Sequence, residues 1–389
     1  MKSAPLVYLV AAERSGELLG ADLIRSLRKR RGDDLAFAGV GGAAMAAEGV
    51  PTAVDIDGLA IIGWIDGLLA WRRVKERVAL TVADILARKP DVVVLIDSWG
   101  FMLRVAQGVR AADPSIKLIK YVGPQVFATR PGRAKTLAAT VDHLLSIVSF
   151  DAPFYTDFGL PVTFVGNPTL ERMTVGEGAA FRARHELAPD SQAMLVLFGS
   201  RPSEIRRMYD VLVAAVARVL RRRPGLKIVI VVAEPVAEIV QARLQIDTRM
   251  PDDIIIVSEA EKADAFAAVD LALATSGTVI TELATTGVPT VAAYRLGWIT
   301  WALIRMLNVM KSPYTTLVNM ASDSNLVLEH VQTRCTAPRL ERSVESLLEA
   351  PERRLQISQA LRQATDEMRG EGKASDRAAE VVLQYLPTA

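Results

Sequence analysis

Three short glycine-containing loops carry the side chains best suited to bind a phosphorylated ligand. Each loop follows an apolar run and precedes a helical pattern; the loops are Glu13-Arg14-Ser15-Gly16-Glu17, Gly199-Ser200-Arg201 and Ser276-Gly277-Thr278. A helix N-terminus presents unpaired N–H groups and the positive end of the helix dipole, so it attracts anions. These loops predict an enzyme that acts on a phosphorylated or nucleotide-linked substrate.

Arg201 would add a full positive charge to the second loop. It stands directly before Pro202, a residue that suits the first position of a helix. Its guanidinium, together with backbone N–H groups, could stabilise the charge that develops on a departing diphosphate. By itself the tripeptide is equally compatible with a surface arginine beside a tight turn.

Asp97 is the candidate general base. It follows the apolar run Val92–Ile96, and ligands of open α/β sheets bind beyond the carboxyl ends of the strands. A carboxylate at that place can accept the proton of an acceptor hydroxyl. The alternative is that Asp97 caps the next helix or pairs with an arginine.

Apolar runs rich in Val and Ile alternate with helical patterns along the chain. Runs that are apolar on both faces and separated by helices are typical of parallel sheets covered on both sides. The expected fold class is α/β, with two doubly wound Rossmann-like parallel-sheet domains. The predicted strands are Val7–Ala12, Leu35–Val40, Val92–Asp97, Leu118–Val122, His143–Val148, Val162–Val165, Met194–Phe198, Lys227–Val232, Ile254–Val257, Leu271–Ala274 and Thr290–Tyr294.

A polar stretch from Asn167 to Glu177 is the expected hinge. It places an N-terminal domain at residues 1–167 and a C-terminal domain at residues 168–389. The tail from Pro351 to Leu386 reads as two helices, which could close the second domain or pack back across the first.

Composition narrows the class of protein. The 389 residues are 50% hydrophobic, enough for two cores, and a net charge of +2 argues against a nucleic-acid partner. A single cysteine, Cys335, excludes an internal disulfide.

No signal peptide or long uncharged apolar run is visible, so a cytoplasmic protein is expected. Asp55-Ile56-Asp57 precedes an apolar helix and the three histidines lack ligand spacing, so no metal is expected.

Two apolar stretches are rich in tryptophan. They run from Leu59 to Trp71 and from Leu296 to Leu307, and cations follow both of them. Tryptophan and leucine beside cations suit a helix that lies among lipid headgroups. A buried core helix is the alternative, and both stretches are too short to span a membrane.

Several motifs together resemble the lipid-A-disaccharide synthase family, inverting glycosyltransferases of the GT-B architecture. The family's E-T-S-G-D, I-D-x-P-D-F-N, S-P-S-V-W-A-W-R, P-G-S-R and S-G-T-x-x-x-E motifs have counterparts here, in order, over essentially the whole chain. The counterparts are Glu13–Glu17, Ile96–Met102, Gly123–Arg130, Phe198–Arg201 and Ser276–Glu282, and Tyr294-Arg295 and Asn319 match further family positions.

The resemblance implies a GT-B fold whose two domains face a cleft, with Asp97 as base and Arg201 at the leaving group. Its implied substrate-binding residues are Glu13, Ser15, Gly16, Gly199, Ser200, Ser276, Gly277, Thr278, Glu282, Tyr294, Arg295 and Asn319. Glu282 would accept hydrogen bonds from the ribose hydroxyls. Without the resemblance, its position would indicate only a solvated helix residue. Ser15 could equally be only a helix N-cap.

The implied reaction moves an acylated glucosamine from UDP to an acylated amino-sugar 1-phosphate, without cofactor or metal. The implied location is cytoplasmic, peripheral on the inner membrane, with a membrane surface as partner and homo-oligomerisation left open. The sequence departs from the family at Gly100, Met102, Phe127, Thr129, Asn167 and Asp323-Ser324-Asn325. Two alternatives therefore stay open: a UDP-sugar transferase with a different acceptor, and a paralogue that binds a nucleotide sugar or lipid without turnover.

Overall fold

A computed structural model describes residues 4–55, 67–306 and 312–387. The chain divides into two units: Met1–Glu171 with Met368–Ala389, and Arg172–Glu367. Each unit is built around one six-stranded sheet in which all the strand pairs are parallel. The two units are described separately below.

The sheet of unit 1 has the strand order β2-β1-β3-β4-β5-β6. Its central strands are apolar on both faces, and all five residues of β3 are buried, because helices cover both sides. The strands are β1 (Leu6–Ala11), β2 (Ala36–Val40), β3 (Val92–Ile96), β4 (Lys117–Tyr121), β5 (His143–Ser146) and β6 (Val162–Phe164). The helices that precede unit 2 are α1 (Arg14–Arg31), α2 (Ala43–Ala47), α3 (Gly67–Arg88), α4 (Trp99–Ala112), α5 (Gly132–Ala138), α6 (Pro153–Thr156) and α7 (Pro168–Glu171).

The sheet of unit 2 has the order β12-β11-β10-β7-β8-β9. Its strands are β7 (Ala193–Leu197), β8 (Lys227–Val232), β9 (Ile255–Ser258), β10 (Leu271–Thr275), β11 (Thr290–Tyr294) and β12 (Leu328–Val331). The following helices are α8 (Gly178–Arg184), α9 (Pro202–Arg222), α10 (Ala237–Ile246), α11 (Lys262–Ala268), α12 (Thr278–Thr286), α13 (Trp298–Met306), α14 (Leu317–Ser322), α15 (Ala337–Leu348), α16 (Pro351–Arg369) and α17 (Ala374–Gln384). Short 3₁₀ turns cover Gly32–Asp34, Glu234–Val236, Glu259–Glu261 and Gln332–Arg334.

Helix α17 returns to unit 1 and packs on α1. Ala378 and Val382 lie in the same apolar cluster as Leu23 and Leu27. At the edge of this contact, Arg30 forms an ion pair with Glu380 at 2.8 Å. The tail therefore combines the two arrangements expected from the sequence: α16 lies almost wholly in unit 2, whereas α17 packs against unit 1.

This return of the chain changes the predicted domain boundaries. The last residues, from Met368 onwards, belong to unit 1, whereas the prediction assigned all of 168–389 to the second domain. The chain leaves unit 1 after Glu171 and returns to it at Met368. The Asn167 N–H donates to the carbonyl of Met368 at 3.1 Å, so the segment just before the departure is bonded to the segment at the return. Gly166, with φ of +87°, lies so close to Arg369 that a Cβ would be 2.2 Å from its carbonyl oxygen.

Candidate active site

Asp97 lies directly beyond the carboxyl end of β3. Asp97 and Ser98 have φ values of 56° and 35°, in the left-handed region that non-glycine residues rarely adopt. The N–H of Asp97 donates to the carbonyl oxygen of Tyr121, at the end of β4, at 2.9 Å. Helix α4 starts at Trp99, so two strained residues turn the chain from strand to helix.

Ser15 contacts the Asp97 carboxylate. Its hydroxyl donates to Oδ2 of Asp97 at 3.0 Å, and the pair is exposed. Ser15 lies in the first turn of α1, whose N-cap is Glu13, so its interpretation as the N-cap is wrong. Across the described residues no arginine pairs with Asp97, and the N-cap of α4 is Ser98. Two loops that the sequence singled out therefore meet at the ends of neighbouring strands β1 and β3.

Gly16 lies between these two strand ends. It is buried, and a Cβ there would lie 3.4 Å from the Cβ of Ala11 and 3.5 Å from the carbonyl oxygen of Ile96, which are ordinary contacts. The start of helix α1 is therefore packed against the ends of both strands. Glu13 is exposed one residue before the helix.

Lys120 lies beneath this loop and was not singled out by the sequence analysis. It is only 2% exposed, on β4. Its Nζ donates to the carbonyl oxygens of Asp97 at 2.5 Å, Tyr121 at 3.1 Å and Leu95 at 3.3 Å. Burial lowers the pKa of the Lys120 ammonium to about 7, against an opposing attraction from Asp97. The signal in the sequence that could have identified Lys120 is the presence of a lysine inside a strand predicted to be buried.

Arginine side chains surround the start of α4. The Arg133 guanidinium stacks 5.1 Å from the ring centroid of Trp99. Burial and the neighbouring charge of Arg130 lower the pKa of Arg133, which is the expected effect of two close cations. Arg104 donates to the carbonyl of Gly100 at 2.5 Å. Within the described chain, no carboxylate pairs with these three guanidinium groups.

Two of the departures from the family pattern lie in unit 1, at Gly100 in α4 and at Phe127. A Cβ on Gly100 would lie 3.4 Å from Nη1 of Arg104, an ordinary contact, so an acid at that position would sit beside this arginine. Phe127 is 5% exposed and packs edge-on against Phe150, with ring centroids 5.0 Å apart. Where the family motif has its first tryptophan, this chain therefore has a buried aromatic cluster.

The loop after β7 in unit 2 closes on itself. The N–H groups of Ser200 and Arg201 both donate to Oε2 of Glu204, at 3.0 and 3.3 Å. Gly199 has φ of +109°, and a Cβ there would lie 2.6 Å from the same oxygen, so the position requires glycine. Two N–H groups expected to meet an anion are thus occupied by a carboxylate of the chain itself.

The Arg201 side chain remains open to solvent. It is 75% exposed, and its Nη1 lies 3.3 Å from Oε1 of Glu204. Helix α9 begins at Pro202, as predicted, with Arg201 as its N-cap residue. Because the guanidinium end of this ion pair is largely exposed, the pair contributes little to stability, and the guanidinium can reach a ligand.

The loop Ser276–Thr278 lies beside the Arg201 loop in the sheet order. Strands β10 and β7 are hydrogen-bonded neighbours, so both loops leave the same sheet edge. The N–H of Ser276 donates to Ala293 at 2.9 Å, whereas Gly277, the N-cap of α12, and Thr278 are exposed. Unit 2 therefore brings together an exposed guanidinium and an open helix N-terminus.

Two of the predicted substrate-binding side chains, Glu282 and Arg295, have partners inside unit 2, and a third, Tyr294, is partly buried. Glu282 forms an ion pair with Lys262 at 2.7 Å, so it is not simply a solvated helix residue. Arg295 donates from Nε to the carbonyl of Cys335 at 3.1 Å. The neighbouring Tyr294 ends β11 and is partly buried.

Asn319 is hydrogen-bonded inside unit 2, and its contact with substrate stays a prediction. It is 0% exposed. Its Nδ2 donates to the carbonyl of Val327 at 2.8 Å and to Oε1 of Glu329 at 2.9 Å, and its Oδ1 accepts from the N–H of Val327 at 2.9 Å. These bonds fix α14 against the start of β12.

The tryptophan-rich stretches are only partly described. Residues 56–66, which include most of the first stretch and Asp57, and residues 307–311 lie outside the described residues. Trp71 is 40% exposed and Trp298 is 69% exposed, so neither ring is in a core. Lys75 and Arg104 approach the Trp71 ring centroid to 5.4 and 4.5 Å.

The described residues show neither a membrane-spanning helix nor a cluster of metal ligands. Among the described helices, none combines the length and the apolar character needed to cross a membrane. The same residues contain no group of three or more His, Cys, Asp or Glu side chains placed to bind a metal ion. Asp55 instead lies 3.4 Å from Arg77.

Comparisons with known proteins agree over nearly the full length. The family model for lipid-A-disaccharide synthetase (LpxB) matches residues 7–384. Lipid-A-disaccharide synthase of Rhodospirillum centenum is 39% identical, covering 98% of this chain and 94% of that protein. The protein of the same name from Paramagnetospirillum magneticum is 36% identical, covering 98% and 97%.

A solved structure resembles the fold at much lower identity. UDP-GlcNAc 2-epimerase from Neisseria meningitidis, bound to UDP-GlcNAc, gives a TM-score of 0.60 at 13% identity, covering 97% of this chain and 99% of that one. Together with two parallel six-stranded sheets, this likeness confirms the predicted GT-B class. Because the family model and both relatives match nearly the whole chain, the chain belongs to the lipid-A-disaccharide synthase family of glycosyltransferases.

Proposed function

We propose that this protein transfers an acylated glucosamine from UDP to an acylated amino-sugar 1-phosphate, with inversion at the anomeric carbon. Beyond family membership, the observation that carries the proposal is the Asp97 carboxylate held by Ser15 beyond the end of β3. A carboxylate oriented at a strand end is suited to remove a proton from a hydroxyl.

The chemical step is a single displacement. Ser15 engages Oδ2 of Asp97, so Oδ1 is the oxygen that accepts the proton of the acceptor hydroxyl. The hydroxyl oxygen forms its bond to the anomeric carbon opposite the diphosphate. The bond from that carbon to the diphosphate oxygen breaks, its electron pair leaves with UDP, and the configuration inverts.

Unit 2 would bind the donor. The exposed Arg201 guanidinium and the open N-terminus of α12 at Gly277 and Thr278 would face the diphosphate. Glu282, held by Lys262, would accept hydrogen bonds from the ribose hydroxyls. The resemblance to a structure bound to UDP-GlcNAc supports this assignment of the donor. Arginine and a helix N-terminus can carry the leaving-group charge, so no cofactor is part of the proposal.

Unit 1 would bind the acceptor. Arg130 and Arg133 have no carboxylate partner within the described residues, and two close guanidinium groups suit a phosphate. Trp99, beneath Arg133, would contribute an apolar face for the sugar ring. The acceptor phosphate and the base would then approach the same turn at the start of α4.

The acyl chains suggest where the protein works. Trp71 and Trp298 are exposed, and cations flank the ring of Trp71, as in side chains that lie among lipid headgroups. We therefore place the protein peripherally on the cytoplasmic face of the inner membrane. Assembly into a homo-oligomer stays a prediction.

The test is transfer by the purified protein. UDP-diacylglucosamine and a diacylated glucosamine 1-phosphate are incubated with it, and the product mass is measured. A disaccharide together with free UDP supports the proposal. If product forms only with another acceptor, the protein is a UDP-sugar transferase with a different acceptor, the alternative that the departures at Gly100 and Phe127 favour. Donor binding without turnover toward any acceptor would favour the non-catalytic paralogue.

A further inference from the structure

We propose that Lys120 is a positioning residue for the catalytic carboxylate: its ammonium group ties the Asp97 carbonyl to the ends of β3 and β4 and so holds the turn that presents the Asp97 side chain. This inference rests on the proposed role of Asp97 as base.

The Lys120 ammonium group bridges the ends of two neighbouring strands. A lysine ammonium has three N–H donors, and here three backbone carbonyl oxygens accept them. They belong to Leu95 within β3, Asp97 just beyond it, and Tyr121 at the end of β4, at 3.3, 2.5 and 3.1 Å. One side chain thus links two neighbouring strands at the edge where the base lies.

The turn that carries Asp97 is strained. Non-glycine residues in the left-handed region raise the free energy of the folded chain, so Asp97 and Ser98 need support from their surroundings. The Asp97 N–H donates to the Tyr121 carbonyl, and the Asp97 carbonyl accepts from Lys120. Both peptide groups of Asp97 are therefore fixed, which leaves the direction of its side chain determined by the backbone and by Ser15.

A lysine at this buried position is costly. Lys120 lies beside Leu95 and Leu144 of the two neighbouring strands, and both leucines belong to the apolar cluster of unit 1. A buried charge costs free energy that an apolar side chain of similar size would avoid. Stability alone would thus favour an apolar residue at position 120, whereas a role at the neighbouring catalytic turn accounts for the lysine.

The test compares two matched variants of the same strand. Lys120→Met keeps an unbranched side chain of similar volume but removes the three donors. Lys117→Met makes the same change at the exposed start of β4. We expect Lys120→Met to lower kcat by about 10-fold or more, with the KM for the UDP-sugar nearly unchanged and the melting temperature not lowered. Lys117→Met should leave all three quantities unchanged.

A double-mutant cycle separates positioning from general stability. In an Asp97→Asn background, Lys120→Met should have little further effect on the residual rate, because the group that it positions is already lost. Equal losses in both backgrounds, or a loss of kcat that follows a loss of thermal stability, would show a structural role and overturn the inference. If Lys120→Met does not fold, Lys120→Gln takes its place in the cycle under the same criteria.

The inference and the proposed function fail in different ways. Full activity of Lys120→Met alongside an inactive Asp97→Asn overturns the role of Lys120 only. Full activity of Asp97→Asn overturns the base itself, whatever Lys120→Met does.

Discussion

Ser15 and Asp97 are separated by 82 positions in the chain, yet the Ser15 hydroxyl lies 3.0 Å from Oδ2 of Asp97. The contact arises because β1 and β3 are parallel neighbours whose carboxyl ends lie at the same sheet edge. Ser15 lies shortly after the end of β1 and Asp97 directly after the end of β3, so the topology of the sheet brings the hydroxyl to the carboxylate. The serine is thus placed to select which carboxylate oxygen faces the acceptor.

Ser15→Ala should weaken catalysis without abolishing it. A hydrogen bond to a charged group contributes about 1.5 kcal/mol, so a loss of roughly 10-fold in kcat is expected. Steady-state transfer assays would measure it. A matched control is Ser115→Ala, which removes a hydroxyl that bonds the carboxylate of Asp113 elsewhere in unit 1. Equal rates for both variants and the unaltered protein would remove Ser15 from the site.

Arg201→Ala should lower turnover by on the order of 10²-fold, since it removes charge stabilisation of the departing diphosphate. The fold should be unaffected because the side chain is 75% exposed. UDP affinity by calorimetry and kcat are the measurements. The control is Arg206→Ala, an exposed arginine further along α9. Unchanged affinity and turnover in Arg201→Ala would mean that the diphosphate binds elsewhere.

Stability should depend on pH through Lys120. Burial lowers the pKa of Lys120 from 10.5 to about 7 in the folded protein. Between about pH 7 and pH 10 the unfolded chain therefore binds more protons, so the free energy of unfolding rises with pH by up to about 1.4 kcal/mol per unit. Below pH 7 both states are protonated and this contribution is flat.

Urea unfolding measured at several pH values between about 6 and 10 tests this dependence. Lys120→Met should lose the part of the rise that belongs to this group, whereas Lys117→Met should keep it. Identical slopes in the two variants would show that Lys120 has an ordinary pKa in the folded state.

The exposed tryptophans should contribute to membrane binding. Burying a large apolar side chain contributes about 1.5–3 kcal/mol, so replacing Trp71 and Trp298 together with serine should reduce sedimentation with anionic vesicles several-fold or more. Melting should change little, because both rings are largely outside the core. Ile246→Ser, at a side chain that is 81% exposed, is the control. Undiminished vesicle binding by the double variant would exclude these tryptophans as membrane contacts.

Much of the fold could be predicted from the sequence because its strands are continuous apolar runs. Every predicted strand is present within two residues of its expected bounds. The twelfth, Leu328–Val331, was missed because it contains Glu329 and His330 and is only partly buried. The position of the tail was left open, since the amphipathic pattern of α17 does not reveal which sheet it covers.

The site was predictable where it depends on strand ends and not where it depends on local hydrogen bonds. Asp97 and Ser15 follow strands, so topology alone brings them together. Glu204, which occupies two N–H groups of the Arg201 loop, and Lys120, which binds three carbonyls, contact backbone atoms. Residue spacing carries no signal for such contacts. The bonds of Asn319 could not be predicted for the same reason, because its partners are mostly backbone groups of Val327.

The most direct test of the account is the rate of disaccharide formation by Asp97→Asn. The change keeps the size of the side chain and its bond to Ser15 but removes the proton acceptor, so transfer should fall by about 10²- to 10⁴-fold while UDP-sugar binding persists. Asp157→Asn, at an exposed position of unit 1, should transfer at the normal rate. Near-normal transfer by Asp97→Asn would contradict the account and would move the base to another carboxylate, with Glu13 the next candidate.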